Sequence, residues 1–227
     1  MEVMDQRVSI REGKSPILLI SPHGADDTNT DLLTEIMAKD LDAYAVINWG
    51  WERASYVDCF KDKANCNNVF HLKEDVVQEE FLVPILKFKK RIKRNHRIVR
   101  QFIIHGISDI GEINLILGCG KGNPSSYSCP QWFVENFAYI AENEGLNTCI
   151  AKAGSNYAGK TKKNLNQLFV RWIPDKYVQS LQLEIAYSLR KTVDDTKILA
   201  TYLANIISKS LKSTRETTPE KFKPKLY

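Results

Sequence analysis

Two of the four histidines in this 227-residue chain stand just after short apolar runs and just before a glycine, in Ser21-Pro-His23-Gly and Ile104-His105-Gly. Asp26 and Asp27 follow His23 by three and four residues. A short turn can fold either carboxylate back beside the imidazole. His105, from a neighbouring strand, would complete a set of two imidazoles and one carboxylate, which holds catalytic zinc while leaving a coordination position open. The glycine after each histidine would let a metal or ligand approach the backbone closely. The spacing leaves a second reading open, in which Asp26 and Asp27 shape a turn and His105 is a hydrogen-bonded core residue. Zinc-dependent hydrolysis also needs a proton acceptor for the attacking water. Leu181-Gln-Leu-Glu184-Ile offers Glu184, a polar residue alternating with Leu181, Leu183 and Ile185. In a sheet covered on both faces this carboxyl would be partly dry and its pKa raised; on an edge strand it would face solvent. Arg53 and Arg190 each follow an apolar run, and an arginine fork suits a substrate carboxylate. For each, the competing reading is a surface ion pair. His71 and His96 fall in or near polar helical stretches and read as surface residues.

These residues need a scaffold. Residues 17–21, 44–48, 101–105, 113–117, 146–150 and 178–187 read as strands, most of them apolar throughout. Residues 31–41, 74–94, 132–144 and 194–211 read as helices, the first capped by Asn29 or Thr30 and the second kinked at Pro84. The loop 118–124 is rich in glycine. Apolar strands alternating with helices predict an α/β fold, a three-layer sandwich with a central, mostly parallel or mixed sheet. Such folds bind ligands beyond the carboxyl ends of their strands, where His23 and His105 fall. One domain is expected over residues 1–212, with a polar, loosely ordered tail over 213–227.

Composition narrows the class. Hydrophobic residues make up 43% and charged residues 26%, which fits a folded globular protein and excludes disordered and collagen-like chains. No apolar run approaches the length of a membrane span, and residues 1–7 carry charges without an apolar core behind them, so neither a membrane segment nor a signal peptide is expected and the cytoplasm is the expected location. Five cysteines without a Cys-x-x-Cys pair argue for reduced thiols and against a disulfide framework or a zinc knuckle. The net charge is +5, with eight basic and no acidic residues over 87–100. Such a cluster could hold an anionic polymer. Yet Val77, Phe81, Ile85, Phe88 and Ile92 recur at helical spacing, which explains the segment as one buried and one solvated helix face. Phe88 belongs to the apolar stripe, and no stacking aromatics interleave the basic residues as single-strand binders usually need, so no nucleic-acid partner is expected.

The order of motifs resembles the N-formylglutamate amidohydrolase family over roughly residues 15–192. Ser-Pro-His23-Gly resembles its first histidine motif. Glu52-Arg53 followed by Val57-Asp58 resembles its Ser-Arg stretch, and Asn65-Cys-Asn67-Asn68 its Asp-x-Asn-Arg. His105-Gly resembles its second histidine motif, Asn156-Tyr-Ala-Gly159 its Asn-x-Pro-Phe-x-Gly-Gly loop, and Leu181-Gln-Leu-Glu184-Ile with Leu189-Arg190 its Gln-x-Glu stretch. The resemblance implies a zinc carboxypeptidase-like fold and one zinc ion held by His23, His105 and either Asp26 or Asp27. It implies Glu184 as the general base, and Arg53, Arg190 and Asn67 as the grip on a small carboxylate-bearing substrate with an N-acyl or N-formyl amide. The related poly-γ-glutamate hydrolases carry Glu-Pro-Gly-Thr where this chain has Asp27-Thr-Asn-Thr30, which favours Asp27; the His-x-x-Glu spacing of zinc carboxypeptidases favours Asp26. Asn68 stands where the family has arginine and Ile103 where it has aspartate, so formylglutamate itself does not carry over. Two other functions remain in view: an endo-acting γ-glutamyl or peptide hydrolase, and a non-catalytic anion-binding protein that uses the basic helix 87–100.

Overall fold

A computed structural model describes residues 7–120, 127–214, 217–219 and 222–227. The readings of residues 1–6 and of loop residues 121–124 lie outside the described residues. Eight strands form one mixed sheet: β1 (Val8–Arg11), β2 (Ile17–Ser21), β3 (Tyr44–Asn48), β4 (Val99–Ile107), β5 (Leu115–Gly118), β6 (Thr148–Ile150), β7 (Val178–Ala186) and β8 (Lys225–Leu226), in the order β1-β3-β2-β4-β7-β5-β6-β8. The central strands β3, β2, β4 and β7 run parallel, β1 is antiparallel to β3, and β5 is antiparallel to β7. This is the predicted three-layer α/β sandwich.

Alternation along the central strands divides two cores. On one face Leu19, Phe102, Ile104, Leu181, Leu183 and Ile185 pack under α1 (Thr30–Asp40), α4 (Gln131–Asn143) and α5 (Val193–Lys212). On the other, Leu18, Ile20, Val46 and Ile103 meet α2 (Asp75–Val77), α3 (Val83–Asn95) and the segment around Leu165, Leu168 and Phe169. Apolar area removed from water on both faces drives this arrangement. The kink expected at Pro84 takes the form of a π-helical turn over Gln78–Leu82 leading into α3, where Pro84 sits in the first turn and its missing N–H costs least.

The apolar stripe of the basic helix is buried at all five expected positions. Part of its charge is met within the chain: Asp175 pairs with Lys93 at 2.7 Å and Lys89 at 3.3 Å, and Arg91 pairs with Glu12. His71 and His96 are half-buried and structural: His71 Nδ1 accepts from Asn65 N, and His96 Nε2 lies 2.8 Å from the carbonyl of Lys14. Described residues of the tail make specific contacts. Asn136 Nδ2 donates to the carbonyl of Thr214, the Phe222 ring stands edge-on to Tyr139 at 5.2 Å, and β8 pairs with β6. A polar segment is tied down here by backbone pairing and two aromatic rings, which composition does not foretell. Among the described residues no helix is long and apolar enough to cross a membrane.

Candidate functional site

Because β2, β3, β4 and β7 are parallel, their carboxyl ends share one edge of the sheet. His23 lies two residues past β2, Arg53 five past β3, His105 near the end of β4, and Glu184 near the end of β7. His105 and Glu184 are direct partners in the β4–β7 register, so their side chains stand on one face, side by side. β7 lies between β4 and β5, which makes Glu184 a central-strand residue, 7% exposed.

The turn after β2 does what its sequence proposed. The carbonyl of His23 accepts from the N–H groups of Asp26 at 2.9 Å and Asp27 at 2.7 Å, folding both aspartates back towards the imidazole. They then diverge. Asp26 Oδ2 accepts from the Arg53 backbone N–H at 2.8 Å and faces the loop after β3. Asp27 points inwards: Oδ2 accepts from Gly106 N–H at 3.0 Å and lies 3.9 Å from His105 Nδ1, while Oδ1 accepts from Arg53 Nη2 at 2.8 Å. Of the two aspartates, Asp27 therefore stands with the histidines. The His23 and His105 rings are 5.2 Å apart, and Arg53 Nε lies 3.3 Å from His23 Nδ1. Asn48 holds the β3 loop in place, donating to the carbonyls of Pro22 and Trp51 and accepting from Trp51 N–H.

These residues surround a cavity of about 360 Å³, which Asn67, Asn156, Tyr157, Asn164 and Gln182 also line. A cleft of about 460 Å³ elsewhere, between residues 127–130 and 169–179, contains no histidine, and its one carboxylate, Asp175, is already paired with Lys89 and Lys93.

The electrostatics sort the ionisable groups into different states. Burial pushes His23 well below its ordinary pKa, helped by the neighbouring His105 and Arg53, so its imidazole is neutral at pH 7. Burial alone would raise Asp27, but the field of His105 and the Gly106 N–H outweigh it and hold the carboxylate at about 2. At 3.9 Å the His105 contact is beyond hydrogen-bond reach, so its hold is electrostatic and Gly106 is the direct donor. Burial raises Glu184, and the nearby Asp27 charge adds to the rise; His105, the Gln182 amide and Arg53 oppose it. Gln182 Nε2 donates to Glu184 Oε1 and fixes the carboxyl.

A divalent metal fits this donor set in kind. His23 is neutral, Asp27 is ionised, and His105 Nε2 is buried with no hydrogen-bond partner among the described residues, an expensive state for a ring nitrogen. Among the described residues, however, no three His, Cys, Asp or Glu side chains stand in a metal-holding geometry.

Arg190 is not among the described residues that line the cavity. It is 3% exposed, and its guanidinium donates to the carbonyls of Ile185, Thr28 and Ile107. Each of its three nitrogens donates to a backbone carbonyl, in β7, in β4 and in the turn after His23, so it acts as a clamp beneath the site. Gly106 is explained by the same contact: a Cβ there would come within 2.2 Å of Arg190 Nη2. Gly24 likewise makes room for Asn48, whose carbonyl oxygen would lie 2.3 Å from an added Cβ. Both glycines serve the packing of protein against protein and not the approach of a ligand. Asn164 and Tyr157 are lining residues that carried no individual signal. Asn164 Oδ1 accepts from Asn166 N–H, so it reads as a turn cap, and its place on the cavity wall follows only from the folded loop.

No protein-family model matches the chain, and no curated protein matches it in sequence. Solved structures do match. N-formylglutamate amidohydrolase from Ralstonia eutropha JMP134 is similar over 94% of this chain and 100% of its own, with a TM-score of 0.62 at 13% identity. A bacteriophage poly-γ-glutamate hydrolase is similar over 90% and 87%, with a TM-score of 0.55 at 13% identity. A metallo-carboxypeptidase from Burkholderia cenocepacia is similar over 89% of this chain and 57% of its own, with a TM-score of 0.52 at 14% identity. At these identities the likeness establishes the fold: this chain has the α/β fold shared by amidohydrolases, γ-glutamate hydrolases and carboxypeptidases, the group its motif order resembles.

Proposed function

We propose that the protein is a metal-dependent hydrolase of an amide bond in a small carboxylate-bearing substrate. The observation that carries this reading is the convergence, at the carboxyl edge of one sheet, of a neutral His23, an ionised Asp27, a buried His105 with an unpartnered Nε2, and a desolvated Glu184. His23, Asp27 and His105 would hold the metal, zinc by the resemblance, and a bound divalent ion there supplies Lewis-acid polarisation of the amide carbonyl. Glu184, fixed by Gln182, takes a proton from the attacking water and returns it to the leaving amine nitrogen; its raised pKa suits both transfers. Arg53, 46% exposed at the cavity mouth, grips the substrate carboxylate. Asn67 lines the same wall.

A panel of N-formyl and N-acetyl amino acids and γ-glutamyl peptides, assayed with added zinc, tests the activity, and the Glu184→Gln variant tests its mechanism. Turnover in Glu184→Gln should fall by about 10²–10⁴-fold, the usual worth of a positioned acid–base group, with metal content unchanged. Loss of metal in that variant would make Glu184 a ligand; near-normal turnover would leave it a structural strand residue.

A further inference from the structure

The cavity lining is divided by charge. Its floor already carries two carboxyl groups, Asp27 and Glu184. Among the described lining residues Arg53 is the only lysine or arginine. The second guanidinium nearby, that of Arg190, is committed to three backbone carbonyls. Asn68, at the position where the resemblance expects an arginine, spends its Oδ1 on the N–H of Phe70 and does not line the cavity.

The wall is built from uncharged groups with capacity to spare. The Asn156 carboxamide and the Ser108 hydroxyl have no protein partner among the described residues, and both are exposed in the cavity. Asn67 uses its Oδ1 on Leu165 N–H at 3.3 Å, and its amide donors have no partner among the described residues. Asn164 and Gln182 are bonded to each other at 3.3 Å.

We propose, on the amidase reading above, that the site takes a substrate with one carboxylate and otherwise uncharged hydrogen-bonding groups, an N-acyl amino acid or short peptide whose side chain ends in a carboxamide or hydroxyl, and that it discriminates against dicarboxylates. One carboxylate is answered by Arg53. A second would lie against a wall of carboxamides and a hydroxyl that offers it no counter-ion, on the side of the Glu184 carboxyl. A carboxamide of the same shape brings a donor and an acceptor to groups that can meet both.

Glutamine and glutamate differ by one charge at almost constant shape, so they isolate the point. Zinc-loaded wild-type protein is titrated calorimetrically with the N-methylsulfonyl derivatives of L-glutamine and L-glutamate, whose sulfonamide is not hydrolysed as an amide would be. The glutamine derivative should bind at least about 10-fold more tightly, and Asn156→Arg, a change at an exposed position, should narrow or reverse that preference. Equal or tighter binding of the glutamate derivative overturns the inference, as does failure of both to bind; an unchanged preference in Asn156→Arg overturns the assignment of that wall to the substrate side chain. The amidase reading fails by a different sign: tight binding of the glutamine derivative together with no hydrolysis of N-formyl- or N-acetylglutamine.

Discussion

The loop after β3 and the loop after β7 each bring an arginine to the same edge of the sheet, and the two arginines end in opposite states. Arg53 is half exposed, its guanidinium laid across His23 and Asp27. Arg190 is buried, and each of its three nitrogens donates to a backbone carbonyl, in β7, in β4 and in the turn after His23. A guanidinium removed from water has to be saturated by the protein, because an unpaired buried charge is too expensive to keep. An arginine that is to serve substrate would have to keep part of its fork in the solvent, and Arg53 is the one of the two that keeps it there. The difference lies in the surroundings of each side chain, and residue type and distance from the strand end do not record it.

Removing each arginine in turn should sharpen this contrast. Arg190→Ala strips partners from the carbonyls of Thr28, Ile107 and Ile185 and unties the turn that carries Asp27. We expect a stability loss of about 3–5 kcal/mol in denaturant unfolding, as three carbonyls lose a charged donor, with little rescue by Arg190→Lys, whose point charge cannot reach three carbonyls. A loss under 1 kcal/mol would remove the clamp from the account. Arg53→Ala should leave stability within about 1 kcal/mol of wild type, since its contacts are solvent-screened. It should raise KM for a carboxylate-bearing substrate by about 10-fold or more while changing kcat less, the pattern of lost binding to a charged group. A KM that stayed constant would make Arg53 a structural partner of Asp27 and close the gap between the two arginines.

Asp175 gives the comparison a third, smaller point: a carboxylate held by two lysines of the basic helix. Burial would raise it, but Lys93, the Tyr177 N–H and Lys89 together hold it below the ordinary carboxylate range. Its folded pKa is depressed, so its contribution is present above the ordinary value near 4 and is lost as the pH falls through the folded value. Asp175→Asn should flatten the acid limb of the stability profile by a few tenths of a kcal/mol to about 1 kcal/mol. An unchanged limb would show the pair to be a solvated contact without consequence.

Much of the scaffold was legible because it is local. The runs at Ile17–Ser21 and Tyr44–Asn48 are apolar throughout and end in turn residues, and both strands fall where the pattern puts them. Glu184 was legible as one of two alternatives. The alternation of Leu181, Leu183 and Ile185 fixes which face it shares, while its burial depends on β4 and β5 flanking β7. Asp26 and Asp27 could not be told apart in sequence, since both N–H groups bond the same carbonyl and only the packed turn decides which carboxylate turns inwards. The surroundings of Arg190 were not legible, because two of its three partners lie 162 and 83 residues away in the chain. β1 and β8 went unseen because they are short edge strands of four and two residues, held by pairing and without an apolar run of their own.

The most direct test of the central claim, that His23 and His105 are halves of one metal centre, is elemental analysis of the purified protein beside a His23→Ala, His105→Ala double variant, with folding of both checked by circular dichroism. The wild type should carry about one equivalent of a divalent transition metal and the folded double variant essentially none. Full stoichiometry in the double variant, or a wild type that takes up no metal even from zinc-supplemented buffer, would contradict it.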